Sequence, residues 1–124
     1  MSWAKLDDRF HDNRKVRRAW LVCPASVGLY ALALTYCAGH ETDGRVDEEF
    51  VAATVPKPRD RDRMVAALLD AGLWQANGQG WIVNDYLDFN PSHDALNARR
   101  EAKREAGRRG GRASAAARAG GNQT

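Results

Sequence analysis

No stretch of this 124-residue chain is apolar for long enough to cross a bilayer. Its opening, MSWAKLDDRF, lacks the basic-then-apolar order of a secretory signal. Together these absences predict a cytoplasmic protein without a membrane partner. Cysteine is scarce too. Cys23 and Cys37 are the only two, which excludes a disulfide-stapled scaffold and predicts reduced, buried thiols. Cys37 and His40 stand at C-x2-H spacing, but no CxxC and no second histidine at finger spacing completes a metal set. His11, His40 and His93 have no serine or cysteine nucleophile at a recognisable spacing and read as surface or capping residues. No carboxylate dyad is visible. GRRGG at 107–111 follows no strand and lacks the lysine of a phosphate loop. The chain is therefore expected to be no enzyme and to need no cofactor.

Acidic residues are sparse in the C-terminal part. From Asn97 onward, Arg99, Arg100, Lys103, Arg104, Arg108, Arg109, Arg112 and Arg118 are set against only Glu101 and Glu105, which makes this segment +6. The whole chain is +3, so residues 1–96 carry −3. A mildly acidic folded part with a strongly basic tail predicts an anionic partner, most often nucleic acid, met at least partly by the tail.

What is present is a series of short amphipathic elements. Trp3 to Leu6 reads as an extended piece and Asp12 to Ala19 as a short helix. Cys23 to Ala38 is the clearest helix, with Pro24 suited to its first turn. Leu29, Leu32, Ala33 and Tyr36 recur at i, i+3, i+4, i+7. Val27, Tyr30, Leu34 and Cys37 widen that stripe, so the helix should be central to the core, with Gly39 as its stop. Asp43-Gly44 signals a turn, and Arg45-Val46 a very short strand. Asp47 is a good N-cap, with Glu48 and Glu49 in the first turn and Val46 and Val51 placed as a staple. Pro56 and Pro58 end this helix by about Val55.

The next helix is expected over Asp60 to Ala71, on Met64, Val65, Leu68 and Leu69. Gly72 then sits where a left-handed stop belongs, and Leu73 returns to Leu68. Leu73 to Gln75 and Gly80 to Val83 are strand-like, and the Asn77-Gly78 pair between them is a strong hairpin signal. DYLDF at 85–89 alternates polar and apolar residues. Ser92 can cap a final helix to about Ala106. The Arg/Gly/Ala-rich remainder has little to bury and is expected to be disordered when free. The expected organisation is a domain over 1–91, a basic helix over 92–106 and a tail over 107–124.

This order predicts a mainly α chain with a small β-hairpin, arranged as a winged helix-turn-helix. The helix at 47–54 would support the helix at 60–71, which would enter a major groove. WQANGQGW at 74–81 would be the wing tip. Arg59, Arg61 and Arg63 alternate with Asp60 and Asp62, so they are either phosphate or guanine contacts or a solvated, self-paired run. Ala66, Ala67 and Asp70 make the rest of that face poor at reading bases. Gln75, Asn77 and Gln79 could bond a phosphate or a minor-groove edge, or merely suit the turn. Trp74 and Trp81 suit packing of the wing more than base stacking. Arg14, Lys15, Arg17 and Arg18 form a second basic cluster, either a phosphate contact or an exposed helix face.

In the basic segment, Arg99, Arg100, Lys103 and Arg104 fall on successive helical turns, with Glu101 able to pair with Arg104. Arg108, Arg109 and Arg112 sit among glycines, which would let the backbone follow a phosphate track. The bland alternative is a solubilising linker. Double-stranded DNA is the expected partner. A homodimer through the N-terminal segment or the 97–106 helix is open, but no heptad of useful length supports it.

Three stretches carry a resemblance to a known group: WAKLDDRFHDNRKV, GLYALALTYCAGHETDGRV, and LLDAGLWQANGQGWIVNDYLDFNPSHDAL followed by ARREAKREAGRRGGRASAAAR. The chain resembles the N-terminal winged-helix domain of actinobacterial phage and prophage replication proteins of the replisome-organiser or helicase-loader type. That resemblance implies DNA binding in replication initiation or its control, with a replication protein such as a helicase as a further partner. Such proteins often continue beyond a similar basic segment, so DNA binding is implied more directly than helicase loading. The rival readings are a small transcriptional regulator, and an interaction module whose acidic folded part docks on a protein while the tail touches DNA.

Overall fold

The helices longer than one turn begin at a capping side chain or a proline. In the computed structural model, which describes residues 3–121, Trp3 to Leu6 forms no strand. A 3-10 turn over Phe10–Asp12 leads to Asn13. The Asn13 side-chain oxygen accepts from the N–H groups of Lys15 and Val16 and opens α1, Arg14–Val22. The cap is Asn13 rather than Asp12, so α1 starts and ends later than the sequence pattern predicts.

Cys23 is an extended elbow between α1 and α2, Pro24–His40. The buried Ser26 hydroxyl donates to the Cys23 carbonyl at 2.6 Å and ties the elbow. α2 packs on both α1 and α4, which makes it the central helix. Leu29, Ala33, Leu34 and Cys37 are buried, whereas Leu32 is 53% exposed despite its place in the expected stripe. Nor does α2 stop at Gly39. The His40 ring lies tilted against Tyr36 with centroids 4.6 Å apart, and the left-handed residue is Glu41 (φ 54°). Thr42 N–H then donates to the Cys37 carbonyl and closes the end.

Asp43 and Gly44 both take positive φ and turn the chain into β1, Arg45–Asp47. Asp47 caps α3, Glu48–Thr54, by accepting from Phe50 N–H at 2.7 Å. Val46 and Val51 are both buried on either side of that cap. α4 spans Pro58–Asp70 and opens two residues earlier than expected, because Pro58 serves as a helix start. It ends as expected. Gly72 (φ 80°) donates to the Leu69 carbonyl at 3.1 Å, and Leu73 donates to the Leu68 carbonyl at 3.0 Å.

β2, Trp74–Ala76, and β3, Gly80–Val83, follow. The sheet is three-stranded, not a two-stranded hairpin. β3 lies in the middle and pairs antiparallel with both β1 and β2. Asp47 faces Gly80 and Val46 faces Trp81 across the β1–β3 pair. A Cβ on Gly80 would collide with the Val46 carbonyl, so this close approach requires glycine. The alternating DYLDF segment folds as a single turn, α5, Tyr86–Phe89. The core gathers Val16, Leu29, Val51, Leu68, Trp74 and Val83.

Residues 1–91 and 92–124 form two separate compact units. In the second, α6 spans His93–Gly121, capped where Ala95 N–H donates to Ser92 Oγ at 3.1 Å. The helix passes the expected end at Ala106 and continues through the segment expected to be disordered. Alanine and arginine, which fill most of this stretch, are strong helix formers, whereas each internal glycine costs roughly 1 kcal/mol. Residues 122–124 of the expected tail lie outside the described residues.

Two predictions follow from these contacts. Gly80→Ala should lower stability in urea by more than Gly78→Ala, which meets nothing within 4 Å and costs only about 1 kcal/mol through its positive φ. Alkali should also destabilise the fold. Burial raises Tyr30 and Tyr86 above 10.0 and Cys37 above 9.0, and the hydrogen bond donated to Asp47 raises Tyr36. The folded state then keeps protons that the unfolded chain releases. Stability is full below the unfolded values and falls as pH climbs through the raised ones. Urea midpoints across this alkaline range should drop, and a level profile would contradict the assignment.

Candidate nucleic-acid interface

The connection between α3 and α4 is held by one arginine. Arg61 Nε donates to the Val55 carbonyl at 3.2 Å, and its Nη2 donates to the Pro56 carbonyl at 3.2 Å. It is half-buried. Those carbonyls have no helical partner at the proline break, so the guanidinium fills that role. Arg61, expected as a DNA contact, is thus committed to the turn.

Arg59 and Arg63 differ. Both are exposed, and among the described residues neither has a hydrogen bond or ion pair. Asp60 and Asp62 do not pair with them, so the alternating run is not self-paired. Arg59, Arg63 and Ala66 lie along the exposed side of α4 with Asp62 and Asp70. Lys57, exposed at the position preceding α4, adds a cation that sequence reasoning overlooked. The PKPR run was the available signal.

The hairpin separates its residues by role. Asn77 Oδ1 accepts from Gln79 N–H at 3.1 Å, so the Asn77 side chain shapes the three-residue turn. Gln75 and Gln79 are exposed and reach solvent from β2 and from the tip. Trp74 is 2% exposed and stacks on Trp81 with centroids 5.6 Å apart. They are diagonal neighbours on β2 and β3, and the pair anchors the hairpin to the core. Trp74 has no face open to a base.

On α6, Arg99, Arg100, Lys103 and Arg104 form one exposed stripe. Arg100, Arg104, Arg108 and Arg112 recur every fourth residue, about 18 Å along the helix. Arg108, Arg109 and Arg112 therefore sit on a helix rather than on a flexible glycine track. Arg108 and Arg109 share Glu105 at 3.7 and 3.6 Å, and Arg100 donates to Asn97 Oδ1 at 2.7 Å. Glu101, expected to pair with Arg104, does not. Arg99, Lys103 and Arg104 have no polar partner among the described residues. In the N-terminal cluster, Lys15 pairs with Asp85, Arg17 with Asp12 and Arg18 with Asp70 at 3.5–3.6 Å.

A cleft of about 780 Å³ lies beside the hairpin base, floored by Val16, Leu34, Leu73 and Val83. Its polar groups are largely committed: Lys15 to Asp85, Asn84 Nδ2 to the Gly72 carbonyl and Asn13 to the α1 cap. Among the described residues no group of His, Cys, Asp and Glu could hold a metal ion, and no helix is long and apolar enough to cross a membrane. Comparison with protein-family models, with curated proteins and with solved structures returned no match.

The two kinds of arginine on α4 should separate in experiment. Arg61→Ala should lower stability by roughly 1 kcal/mol through the two lost hydrogen bonds. Arg59→Ala and Arg63→Ala should stay within about 0.5 kcal/mol of the parent. Chemical denaturation of the three variants checks this.

Proposed function

We propose that this chain is a DNA-binding protein whose folded unit works as a winged helix-turn-helix and whose α6 supplies most of the affinity. The observation that carries this reading is the α6 stripe. Arg99, Lys103 and Arg104 are exposed and unanswered by any carboxylate among the described residues. Like charges one turn apart each destabilise a helix by a few tenths of a kcal/mol. A polyanion turns that repulsion into attraction through counterion release.

The element order supports the rest. A central helix, a short strand, two helices joined by a tight turn and a hairpin match the order of a winged helix-turn-helix. α4 would approach the groove with Arg59 and Arg63, and the tip with Gln75 and Gln79. Ala66, Asp62 and Asp70 on the same side of α4 favour weak base discrimination. A role in phage or prophage replication initiation or its control rests on the sequence resemblance.

A second reading has its own observation. Residues 1–91 hold eleven Lys/Arg against thirteen Asp/Glu, a net −2, while residues 92–124 hold eight against three, a net +5. That division also suits a folded unit that docks on a replication protein while α6 alone holds DNA.

Binding to random duplex DNA across a salt series tests both. If all eight basic residues of the C-terminal segment neutralise phosphates, the log–log slope approaches about −7. Arg99→Gln, Lys103→Gln and Arg104→Gln together should flatten it by about 3. Arg59→Ala with Arg63→Ala should flatten it further only if the folded unit touches DNA. Absence of salt-dependent binding would overturn the proposal.

A further inference from the structure

The outward side of α1 combines apolar and basic groups that neither the fold nor DNA binding uses. Val16 and Ala19 turn α1 toward the core. Arg14, Arg17, Arg18 and Leu21 recur at i, i+3, i+4, i+7 on its outer side. Trp20, Leu21 and Val22 are 56, 82 and 61% exposed. Three consecutive large apolar side chains facing water are unfavourable unless something covers them. Leu21 and Val22 share a shallow hollow with Arg14, Arg17, Arg18 and Asp12, the last paired with Arg17.

We propose that this face of α1 docks an acidic amphipathic helix of a partner protein. The apolar end would take the partner's aliphatic anchors, and the three guanidiniums would take carboxylates on their flank. The arginines are available for this. Arg14 has no partner among the described residues. Arg17 and Arg18 make single contacts of 3.5 Å with exposed Asp12 and Asp70, and pairs of this kind exchange at little cost.

Other occupants fit less well. Against DNA, Leu21 and Val22 would face phosphates. A membrane-surface helix needs an apolar stripe along its length, and the exposed apolar groups of α1 are confined to one end of nine residues. A two-fold contact centred on Leu21 would cover the apolar end but leave Arg14, Arg17 and Arg18 without carboxylates to answer them. The inference does not depend on the DNA-binding reading.

The test uses the full chain, isotope-labelled, titrated with a synthetic helical peptide carrying leucines at i, i+3, i+4, i+7 and glutamates on both flanks. Amide shifts should change saturably at residues 14–22. A lysine-flanked copy of the peptide should bind at least about tenfold more weakly. Leu21→Asp and, as a milder variant, Leu21→Ser should each weaken binding about tenfold while leaving the thermal midpoint and the DNA salt slope in place. Arg14→Glu with Arg17→Glu should reverse the preference between the two peptides. Absent or misplaced shifts would overturn the proposal, as would equal affinity for both peptides. So would phosphatidylserine-vesicle binding or self-association that disappears with Leu21→Asp.

Discussion

Asp47 is the residue on which the middle of the structure turns. Its backbone lies opposite Gly80 in the β1–β3 pair. One carboxylate oxygen accepts from Phe50 N–H at 2.7 Å and starts α3. The other accepts from the Tyr36 hydroxyl at 2.9 Å, which ties that start to α2. Sheet, capped helix and central helix therefore share one residue. The Tyr36 and Phe50 rings stack 4.2 Å apart beside it, so ring packing supports the junction while Asp47 itself stays exposed. Gly80 makes the arrangement possible, because only a residue without Cβ lets β3 approach the Val46 carbonyl.

From this junction the charge pattern takes on physical meaning. The cap, the Tyr36 hydrogen bond and the Arg61 clamp consume polar groups to hold α3 and α4 in place. Once these are subtracted, α4 retains Arg59 and Arg63 as exposed unpaired cations, with Lys57 just before it. The outer side of α1 keeps three arginines: Arg17 and Arg18 make long, solvated ion pairs, and Arg14 has no partner among the described residues. α6 keeps a row of cations at every turn with few carboxylates to answer it. The chain thus presents basic groups on three elements, and each has a different apolar neighbourhood. α6 is flanked by alanine, α4 by Ala66 and two aspartates, and α1 by Trp20, Leu21 and Val22. On the readings proposed above, that difference would separate a phosphate-binding surface from a protein-docking one.

Features legible in the sequence were local ones. Asp47 as a cap, Asp43-Gly44 as a turn, the Gly72–Leu73 helix stop and the Asn77-Gly78 hairpin all depend on backbone groups a few residues apart, and all appear where the pattern placed them. Some local features were misplaced by a residue or two, as with Asp12 for the Asn13 cap and Gly39 for the Glu41 stop, while others escaped because they depend on distant groups. Leu32 fits its helical stripe, yet among the described residues its side chain is left half exposed. Arg61 looks like its neighbours in the run, and only the three-dimensional path of the proline break brings two carbonyls to its guanidinium.

The sequence by itself determined the helices, their caps, the turn chemistry and the division between an acidic folded part and a basic C-terminal segment. Each follows from short-range hydrogen bonding, intrinsic propensity or charge count. The tertiary structure alone decided that β1 completes a three-stranded sheet, that Trp74 is sealed against Trp81 and that Trp20, Leu21 and Val22 face water. The reason is physical. Pairing and burial are properties of surfaces brought together from distant parts of the chain, and hydrophobic periodicity says which side of an element is apolar without saying what, if anything, covers it.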